Sequence, residues 1–455
     1  MAWKEIRRLR WKKGLSPAQS IAIAFAVIIL IGTVLLSLPV ASRTEEGHSL
    51  LDCLFAATSA TCVTGLVPGD TYTMWSDFGQ AVILGMIELG GLGFMSMASL
   101  VILLLRKKAG LKQRMLIAQA LSLDDMQSVW KLQKWVLGGS LLIQLTGAAI
   151  LFLRFLPTYG WVTAVKWGVF HSVSAFCNAG FDLFGQLQPG ASVAPMQNDP
   201  VVLLTLAALI AVGGLGFFVW EEVVRLHSFK KFSVYTKLVL LSSGVLILGG
   251  TSLILAFEWN NPDTLGPMGL GQKILNGFFQ SVSLRTAGFA SVDQGLLTDS
   301  SKALSMVLMF IGGSSGSTAG GVKTVTFVVL LLFILARIRG KGNVTVFRRT
   351  VQPEKVIDAM TIVAVVLGLA LLGGTVICAT SPVGFADGMF ESVSALATVG
   401  LTSGATPLLS LPAKLLIIVF MYFGRVGVLT LSLGFLSGDK AQERFRYATT
   451  NLLIG

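Results

Sequence analysis

Charged residues are scarce in this chain of 455 residues: they make up 13% of it, whereas hydrophobic residues make up 53%. Soluble domains carry about 25% charged residues. The composition therefore excludes an ordinary soluble enzyme and indicates a protein that crosses a membrane many times. Histidine and cysteine are also rare, with three and four residues. Their positions show no metal-ligand spacing, which argues against a zinc site and against a disulfide framework.

Acidic residues are fewer than basic ones, with 23 Asp and Glu against 35 Lys and Arg. A basic excess can indicate a nucleic-acid partner, but such modules need aromatic side chains that stack on bases, and the basic clusters lack them. The clusters instead follow every second hydrophobic segment, as the positive-inside rule predicts. They lie at 4–13, 106–134, 225–237, 337–355 and 440–446. We expect no nucleic-acid partner, a multi-pass location in the lipid of the plasma (cytoplasmic) membrane, and both termini in the cytoplasm.

One sequence pattern occurs four times. It is a run rich in serine and threonine that begins at a phenylalanine and ends in a glycine: FAATSATCVTG, FHSVSAFCNAG, FQSVSLRTAG and FESVSALATVG. The glycines are Gly65, Gly180, Gly288 and Gly400, so consecutive patterns lie 115, 108 and 112 residues apart. A recurrence at this spacing indicates four copies of one structural unit. We number them copies 1 to 4.

Each copy has the same predicted order of elements: a long apolar helix, a short polar helix, a glycine loop and a second long apolar helix. The first helices lie near 20–40, 134–155, 236–257 and 358–380, and the second near 81–105, 201–225, 303–336 and 413–437. The predicted fold class is an all-α polytopic membrane protein of four fused helix–pore helix–helix repeats, with eight transmembrane helices and four re-entrant pore loops around a central pore. The predicted boundaries are 1–15 for a cytoplasmic N-terminus, 16–114, 115–231 and 232–350 for copies 1 to 3, and 351–455 for copy 4 with the C-terminus.

The four glycine loops predict a ring that binds cations. A glycine adopts positive φ without strain, and a tight backbone beside it can direct carbonyl oxygens to one axis, where they replace the hydration shell of a cation. The short helix before each loop points its negative end to the same axis. The alternative, glycines that only allow close helix packing, is disfavoured by four equivalent loops. The expected ion-binding residues are Val63, Thr64, Gly65, Asn178, Ala179, Gly180, Thr286, Ala287, Gly288, Thr398, Val399 and Gly400, with the carbonyls of Cys62, Cys177, Arg285 and Ala397 beside them.

Three charged residues lie close to these loops. Copy 3 is one residue shorter before its glycine and carries Arg285. Because a positive charge opposes a cation path, we expect Arg285 to point away from the axis and to pair with an acidic group of a neighbouring helix. Asp387 and Glu391 flank the short helix of copy 4 at its expected N-terminal end, where carboxylates suit the helix dipole and attract cations.

The second helices contain glycine-rich motifs. Residues 90–94 and 213–217 both read GGLGF, which indicates close contact between helix backbones. Residues 312–324 read GGSSGSTAGGVKT, and so many glycines disfavour a lipid-facing helix. We expect this segment to unwind inside the protein below the loops. A nucleotide-binding P-loop is not expected, since Val322 occupies the place of its lysine.

Copy 4 has an arginine deep within its second helix. Arg425 stands where the motif of the first two copies has leucine, and an arginine that faces lipid there costs several kcal/mol. We expect it to face the pore or the glycine-rich segment, as an electrostatic barrier or as a latch that donates to carbonyl oxygens. The alternative is a structural ion pair with Glu88 of copy 1.

Together these features resemble the Trk/Ktr/HKT potassium transporters, most closely the KtrB-type membrane subunit. The resemblance covers nearly the whole chain from Ser16 onward and rests on the four single-glycine loops. It implies potassium uptake through a single-glycine carbonyl selectivity filter, with residues 312–321 as an intramembrane gating loop. The implied gate residues are Gly312, Gly313, Gly316, Gly320, Gly321, Lys323 and Arg425.

The resemblance also implies partners. They are a second copy of the chain in a homodimer and a KtrA-type cytoplasmic nucleotide-binding regulatory ring. No cofactor in this chain is expected; potassium is the transported ion, and sodium is a candidate activator. A sodium-coupled potassium symporter of the same architecture is the alternative. An intramembrane enzyme is not expected, because Glu88, Lys323 and Arg425 do not form a catalytic pair.

Overall fold

The computed structural model describes residues 17–44, 47–105 and 126–427. The predicted N-terminal segment 1–15, part of the basic cluster at 106–134 and the predicted end of the last helix at 428–437 lie outside the described residues. The α-helices in chain order are α1 Pro17–Leu36, α2 Leu50–Cys62, α3 Thr71–Met74, α4 Asp77–Leu105, α5 Met126–Cys177, α6 Pro200–Leu215, α7 Phe217–Leu226, α8 Val234–Glu258, α9 Leu270–Ser283, α10 Asp299–Phe310, α11 Thr324–Ile338, α12 Pro353–Thr380, α13 Phe385–Leu396 and α14 Leu411–Val426.

Shorter elements lie between these helices. Single 3₁₀ turns occur at Pro39–Ala41, Phe184–Gln186, Ala194–Met196, Phe229–Lys231 and Thr406–Leu408. The strands β1 Thr345–Val346 and β2 Arg349–Thr350 pair antiparallel in the basic segment between α11 and α12. The described chain is therefore mostly helical, in agreement with the predicted class.

Four described helices are long and apolar enough to cross a membrane. They are α8, α12 and the segments Gln19–Leu36 of α1 and Lys134–Cys177 of α5, and each overlaps the first helix predicted for one copy. In copy 1 the helix ends at Leu36, before its predicted end near residue 40. Their outward faces expose large aliphatic side chains such as those of Leu142 and Leu248, which suits contact with lipid. The full count of eight spans with four re-entrant loops stays a prediction.

A short helix packs against the first long helix of each copy. These short helices are α2, α9, α13 and the part of α5 that follows a kink at Gly160, where φ is 76°. In α5 the Ser172 hydroxyl donates to the Gln144 carbonyl at 2.6 Å, so the segment after the kink packs along the segment before it. The phenylalanines that begin the repeated pattern are buried, and three of them are fully buried: Phe55, Phe279 and Phe390. The core therefore surrounds the short helices.

The second helix of each copy packs against the short helix of the next copy: α4 on α5, α6 on α9, α10 on α13, and α14 on α2. A polar contact joins each pair near the N-terminal end of the second helix. These contacts are Asp77–Lys166 (2.5 Å), Asn276 Nδ2 to the Gln197 carbonyl (3.0 Å), Lys302–Asp387 (3.0 Å) and Lys414–Asp52 (3.3 Å). Because copy 4 contacts copy 1, the four copies close into a ring.

Two second helices are interrupted. The helix predicted near 201–225 is broken at Gly216, where φ is 95°, and its two parts α6 and α7 are bent by 96°. The prediction of one continuous helix there is wrong, because Gly216 adopts positive φ and the next N–H, that of Phe217, donates to the Gly316 carbonyl of copy 3 at 3.0 Å. In copy 3 the helix ends at Phe310 and resumes at Thr324. That break confirms the unwinding expected of the glycine-rich segment.

Candidate functional site

The four pattern glycines lie together, and each touches the backbone of another copy. A Cβ atom added at Gly65 would lie 2.5 Å from the Ala179 carbonyl oxygen, and one added at Gly180 would lie 2.8 Å from that of Ala287. The same construction at Gly288 meets the Val399 carbonyl, and at Gly400 the Thr64 carbonyl. In every case the carbonyl belongs to the residue directly before the glycine of the next copy, and the fourth contact returns to the first. We call Gly65, Gly180, Gly288 and Gly400 the glycine ring.

The backbone around the ring repeats in all four copies. The ring glycines have φ values of 71° to 95°. The residue two places earlier is also left-handed in each copy: Val63 (56°), Asn178 (59°), Thr286 (67°) and Thr398 (50°). Non-glycine residues rarely adopt such values, so the surrounding structure must enforce them. The four loops therefore share one backbone geometry, although their side chains differ. The chain of copy 3, which is one residue shorter, accommodates that difference before Thr286.

A buried serine of each short helix holds the loop in this conformation. Its carbonyl accepts from the N–H of the residue before the ring glycine at 2.8 to 2.9 Å. Its hydroxyl also contacts the loop: it accepts from the glycine N–H in copies 1 and 4 and donates to a carbonyl one residue after the glycine in copies 2 and 3. These serines are Ser59, Ser174, Ser283 and Ser394. Sequence reasoning did not assign them, although a serine recurs at this place in all four patterns.

A cavity of about 460 Å³ opens on one side of the ring. All four ring glycines line it, together with Asp70, Asp182 and Asp293, and the described lining includes no basic residue. Asp182 follows the ring residue Gly180 by two positions and is desolvated beside Asp70, which raises the pKa of its carboxyl to about 7. Its carboxylates make this an acidic cavity, and their charge attracts cations toward the ring.

Two charged residues near the ring differ from their predicted environments. Arg285 is 8% exposed and donates from Nη2 to the Thr324 hydroxyl at 3.2 Å. No carboxylate of the described residues forms an ion pair with it, so the predicted acidic partner is not found among them. Glu391 lies in the middle of α13 and is fully buried, which corrects its predicted place at the N-terminal end of the helix. Asp387 does lie in that first turn, where it pairs with Lys302.

The glycine-rich segment 312–321 lies against the ends of the short helices. It is closed at its base by a parallel bridge between Ile311 and Val322. Its Thr318 hydroxyl lies 3.2 Å from the Phe176 carbonyl of copy 2, and its Gly320 contacts the Thr398 side chain of copy 4. The segment therefore lies against the ring loops of two copies. The predicted gate residues Gly312, Gly313, Gly316, Gly320 and Gly321 all belong to it, and Gly316 and Gly321 have φ values of 71° and 68°.

Three other elements hold this segment, two through side chains and one through its backbone. Arg425 donates from Nη1 to the Thr318 carbonyl and from Nη2 to the carbonyls of Gly90 (2.5 Å) and Gly91 (3.1 Å). The Tyr235 hydroxyl donates to the Ser315 carbonyl at 2.7 Å. The broken helix of copy 2 contributes a backbone contact, from the Phe217 N–H to the Gly316 carbonyl at 3.0 Å. The segment is thus bound directly by copies 2 and 4 and by the first helix of its own copy, and Arg425 links it to copy 1.

Lys323 and Glu88 complete this region. Lys323 directs its ammonium group back to the Ala319 carbonyl of the same segment, at 2.6 Å. Glu88 accepts from Gln144 Nε2 at 2.9 Å and from the Cys177 thiol at 3.4 Å. Its predicted ion pair with Arg425 is not formed, since the guanidinium donates to carbonyls instead. The geometry of Arg425 is that of the latch alternative.

Comparison with known proteins identifies the family. A family model described as TrkH, cation transport protein, matches residues 9–443. The chain belongs to the TrkH family. This TrkH-family chain is 39% identical to the potassium/sodium uptake protein NtpJ of Enterococcus hirae, over 99% of its own length and 100% of the relative's. It is also 39% identical to the Ktr system potassium uptake protein B of Bacillus subtilis, with 98% of each chain covered.

The fold agrees with that identification. The crystal structure of the potassium transporter TrkH from Vibrio parahaemolyticus superposes with a TM-score of 0.66, covering 90% of this chain and 84% of the other at 19% identity. The resemblance to the Trk/Ktr/HKT transporters, which was inferred from the glycine loops, is therefore confirmed. The TrkH-family chain is a membrane-embedded cation transport protein and not an enzyme.

Proposed function

We propose that this chain takes up potassium across the cytoplasmic membrane and that the glycine ring is its selectivity filter. The observation that carries the proposal is the closed cycle in which each ring glycine meets the carbonyl before the next ring glycine. Carbonyl oxygens are the ligands that replace the hydration shell of potassium. The names of the two 39% identical relatives, both uptake proteins for potassium, support the choice of ion.

Transport then follows from the charges along the path. The acidic cavity is the proposed entrance, where carboxylates concentrate cations. The cations then lose water as they reach the carbonyls of Thr64, Ala179, Ala287 and Val399. The C-terminal ends of the short helices favour a positive charge at the ring. An inside-negative membrane potential drives the ion inward, at about 2.3 kcal/mol per charge for each 100 mV. No step needs a cofactor in this chain.

The segment 312–321 is proposed to be the gate. It lies against the loops of the ring, and Arg425, Lys323 and Tyr235 hold it there through backbone carbonyls. Such contacts keep the segment in one position. Conduction then requires that the segment move away from Thr398 and that Arg425 release the Thr318 carbonyl.

Regulation is proposed to come from outside the chain. The relative named Ktr system potassium uptake protein B is the B component of a system, which supports a KtrA-type cytoplasmic nucleotide-binding ring as a partner of a homodimer here. The hairpin of β1 and β2 is a candidate contact for that ring, because it carries the exposed residues Arg348 and Arg349. Both termini are proposed to share the cytoplasmic side with it.

A sodium-coupled potassium symporter is the second candidate, and the name of the Enterococcus relative favours it. Both candidates are tested by uptake of potassium, sodium and caesium into liposomes that contain the purified protein. The proposal predicts that potassium is preferred and that its uptake needs no sodium gradient. Uptake that requires inward sodium would support the symporter instead. Uptake without preference for potassium would contradict the filter.

A further inference from the structure

One position of the short helices carries a buried polar side chain in three of the four copies. It directly follows the phenylalanine that begins each pattern and holds His171, Gln280 and Glu391 in copies 2, 3 and 4, while copy 1 has Ala56. The exposed fractions of the three polar side chains are 0%, 1% and 0%. Burying such groups costs free energy unless they are hydrogen-bonded, so their partners indicate what they do.

All three side chains bind the chain that leaves the glycine ring. In copy 2, His171 Nδ1 donates to the Trp167 carbonyl at 2.7 Å, which leaves Nε2 to accept from the Leu183 N–H at 3.1 Å. Leu183 follows Gly180 by three residues. The imidazole also stacks on Phe184, with ring centroids 4.1 Å apart.

Copies 3 and 4 make the same connection with different chemistry. In copy 3 the amides of Gln280 and Gln294 exchange two hydrogen bonds, at 2.5 and 3.1 Å, and Gln294 also donates to the Val292 carbonyl. In copy 4 the carboxylate of Glu391 accepts from the hydroxyls of Thr402 and Thr406, the latter at 2.9 Å. Thr402 follows Gly400 by two residues.

The next residue along the same short helices binds the first long helix and not the segment after the ring glycine. Ser172, Ser281 and Ser392 donate to the carbonyls of Gln144, Ile247 and Ala370 at 2.6 to 2.8 Å, all on the first long helix of their own copy. That position attaches the short helix to its neighbour. The preceding position attaches the segment after the ring glycine to the short helix, and the two roles are therefore separable by mutation.

We propose that His171, Gln280 and Glu391 are positioning residues that set the width of the filter at its outer end. The proposal rests on the assignment of the glycine ring as the filter. Each side chain fixes the segment that follows a ring glycine, and the chain joins this segment through the glycine to the carbonyl that precedes it. We call these the post-filter contacts. They discriminate between ions by holding the ring at one diameter, without touching the ion.

Competitive uptake of potassium and sodium into liposomes tests this proposal. Gln280→Leu has a similar size and removes both amide hydrogen bonds, and Gln294→Leu removes them from the other side. Each is expected to lower the ratio of potassium to sodium uptake by about fivefold or more, since a hydrogen bond contributes about 1 kcal/mol. Ser281→Ala is the matched control: it is expected to lower thermal stability and to leave the ratio within about twofold of wild type.

Copy 4 provides a test that changes the shape of the side chain less. Thr402→Val keeps the shape of the side chain and removes its hydroxyl, so it is expected to lower the ratio in a protein that still folds. Glu391→Gln retains hydrogen-bonding groups facing both threonines and is expected to keep the wild-type ratio of potassium to sodium uptake. Glu391→Leu removes them and is expected to lower that ratio. A purely structural role would predict that the ratio stays constant while stability falls.

The Gly288→Ser variant separates this proposal from the one on which it rests. If Gly288→Ser changes the ratio while Gln280→Leu, Gln294→Leu and Thr402→Val leave it at the wild-type value, the post-filter contacts do not position the filter and the proposal is overturned. If Gly288→Ser also leaves the ratio unchanged, the glycine ring is not the filter and both proposals fail. The inference is supported if Gln280→Leu, Gln294→Leu and Thr402→Val lower the ratio of potassium to sodium uptake while Ser281→Ala keeps the wild-type ratio.

Discussion

The Lys414 ammonium group lies 3.3 Å from the carboxylate of Asp52, although 362 residues separate them. This contact joins the second helix of copy 4 to the short helix of copy 1. Lys302 and Asp387 make the same contact, between copies 3 and 4, at 3.0 Å. Both lysines lie in the first turns of a second helix, and both aspartates in the first turn of a short helix. The chain therefore closes on itself as it continues from copy to copy.

The first prediction concerns this closure. A double-mutant cycle of Lys414→Met and Asp52→Asn is expected to give a coupling free energy of about 1 kcal/mol, because the two side chains are only 21% and 25% exposed. Thermal unfolding of the detergent-solubilised protein measures it. The exposed pair Lys355–Asp358 is the control and is expected to show almost no coupling. Equal coupling in the two cycles would contradict a special role for the contact between copies 4 and 1.

The second prediction concerns the gate. Arg425→Gln removes charged donors from the Thr318 carbonyl and is expected to raise potassium flux through the isolated protein by about tenfold, since hydrogen bonds to charged groups contribute about 1.5–3 kcal/mol. Arg225→Gln is the control, because Arg225 lies at a helix end in an exposed pair with Glu221. Deletion of residues 313–320 is expected to raise flux further. Unchanged flux in both gate variants, with the fold intact, is incompatible with a gate at this segment.

The third prediction concerns the break in the second helix of copy 2. Gly216 has a φ of 95°, and an added Cβ would lie 3.0 Å from the Ser315 carbonyl. Gly216→Ala is therefore expected to cost on the order of 1–3 kcal/mol in unfolding free energy and to disturb the gate segment that Phe217 binds. Gly214→Ala is the control, because its Cβ would make only an ordinary contact with Asn178, at 3.6 Å. Equal melting temperatures for the two variants would show that the break imposes no strain.

The fourth prediction concerns the pH outside the cell. The pKa of Asp182 is raised to about 7 by desolvation and by Asp70, so its carboxyl is charged above that pH and neutral below it. Potassium uptake at low external potassium is expected to fall by about twofold as the external pH drops from about 8 to about 6, because the entrance loses a negative charge. Asp182→Asn is expected to show the low-pH rate throughout. A variant that keeps the wild-type pH dependence would assign that dependence to another group.

Local signals in the sequence were enough to locate the glycine ring and the interruption in copy 3. Positions with φ values of 71° to 95° are recognisable in the sequence because they hold glycine, and few other residues adopt that conformation. The spacing of the pattern then gave the number of loops. The same local reasoning underestimated Gly216, since an identical GGLGF motif continues as a helix in copy 1 and breaks in copy 2.

Contacts between copies could not be predicted in the same way. The sequence left two partners open for Arg425, and the choice depends on carbonyls that lie 107 and 335 residues away. Arg285 was expected to find an acid, but the folded chain places the Thr324 hydroxyl beside it. Glu391 was read as a helix-end charge, because its threonine partners belong to a loop whose path only the fold defines. Side-chain chemistry indicates that a partner is needed, and topology decides which one.

The most direct test of the account is the selectivity of a Gly288→Ser variant. Its added Cβ would meet the Val399 carbonyl of the next copy and distort the ring. Gly271→Ser is the matched control, because Gly271 lies in open space on the short helix of the same copy. Uptake of potassium, sodium and caesium into liposomes is measured for both variants and the wild type. We predict that Gly288→Ser loses the preference for potassium while Gly271→Ser retains it. Unchanged selectivity in a folded Gly288→Ser protein would contradict the filter and the function proposed from it.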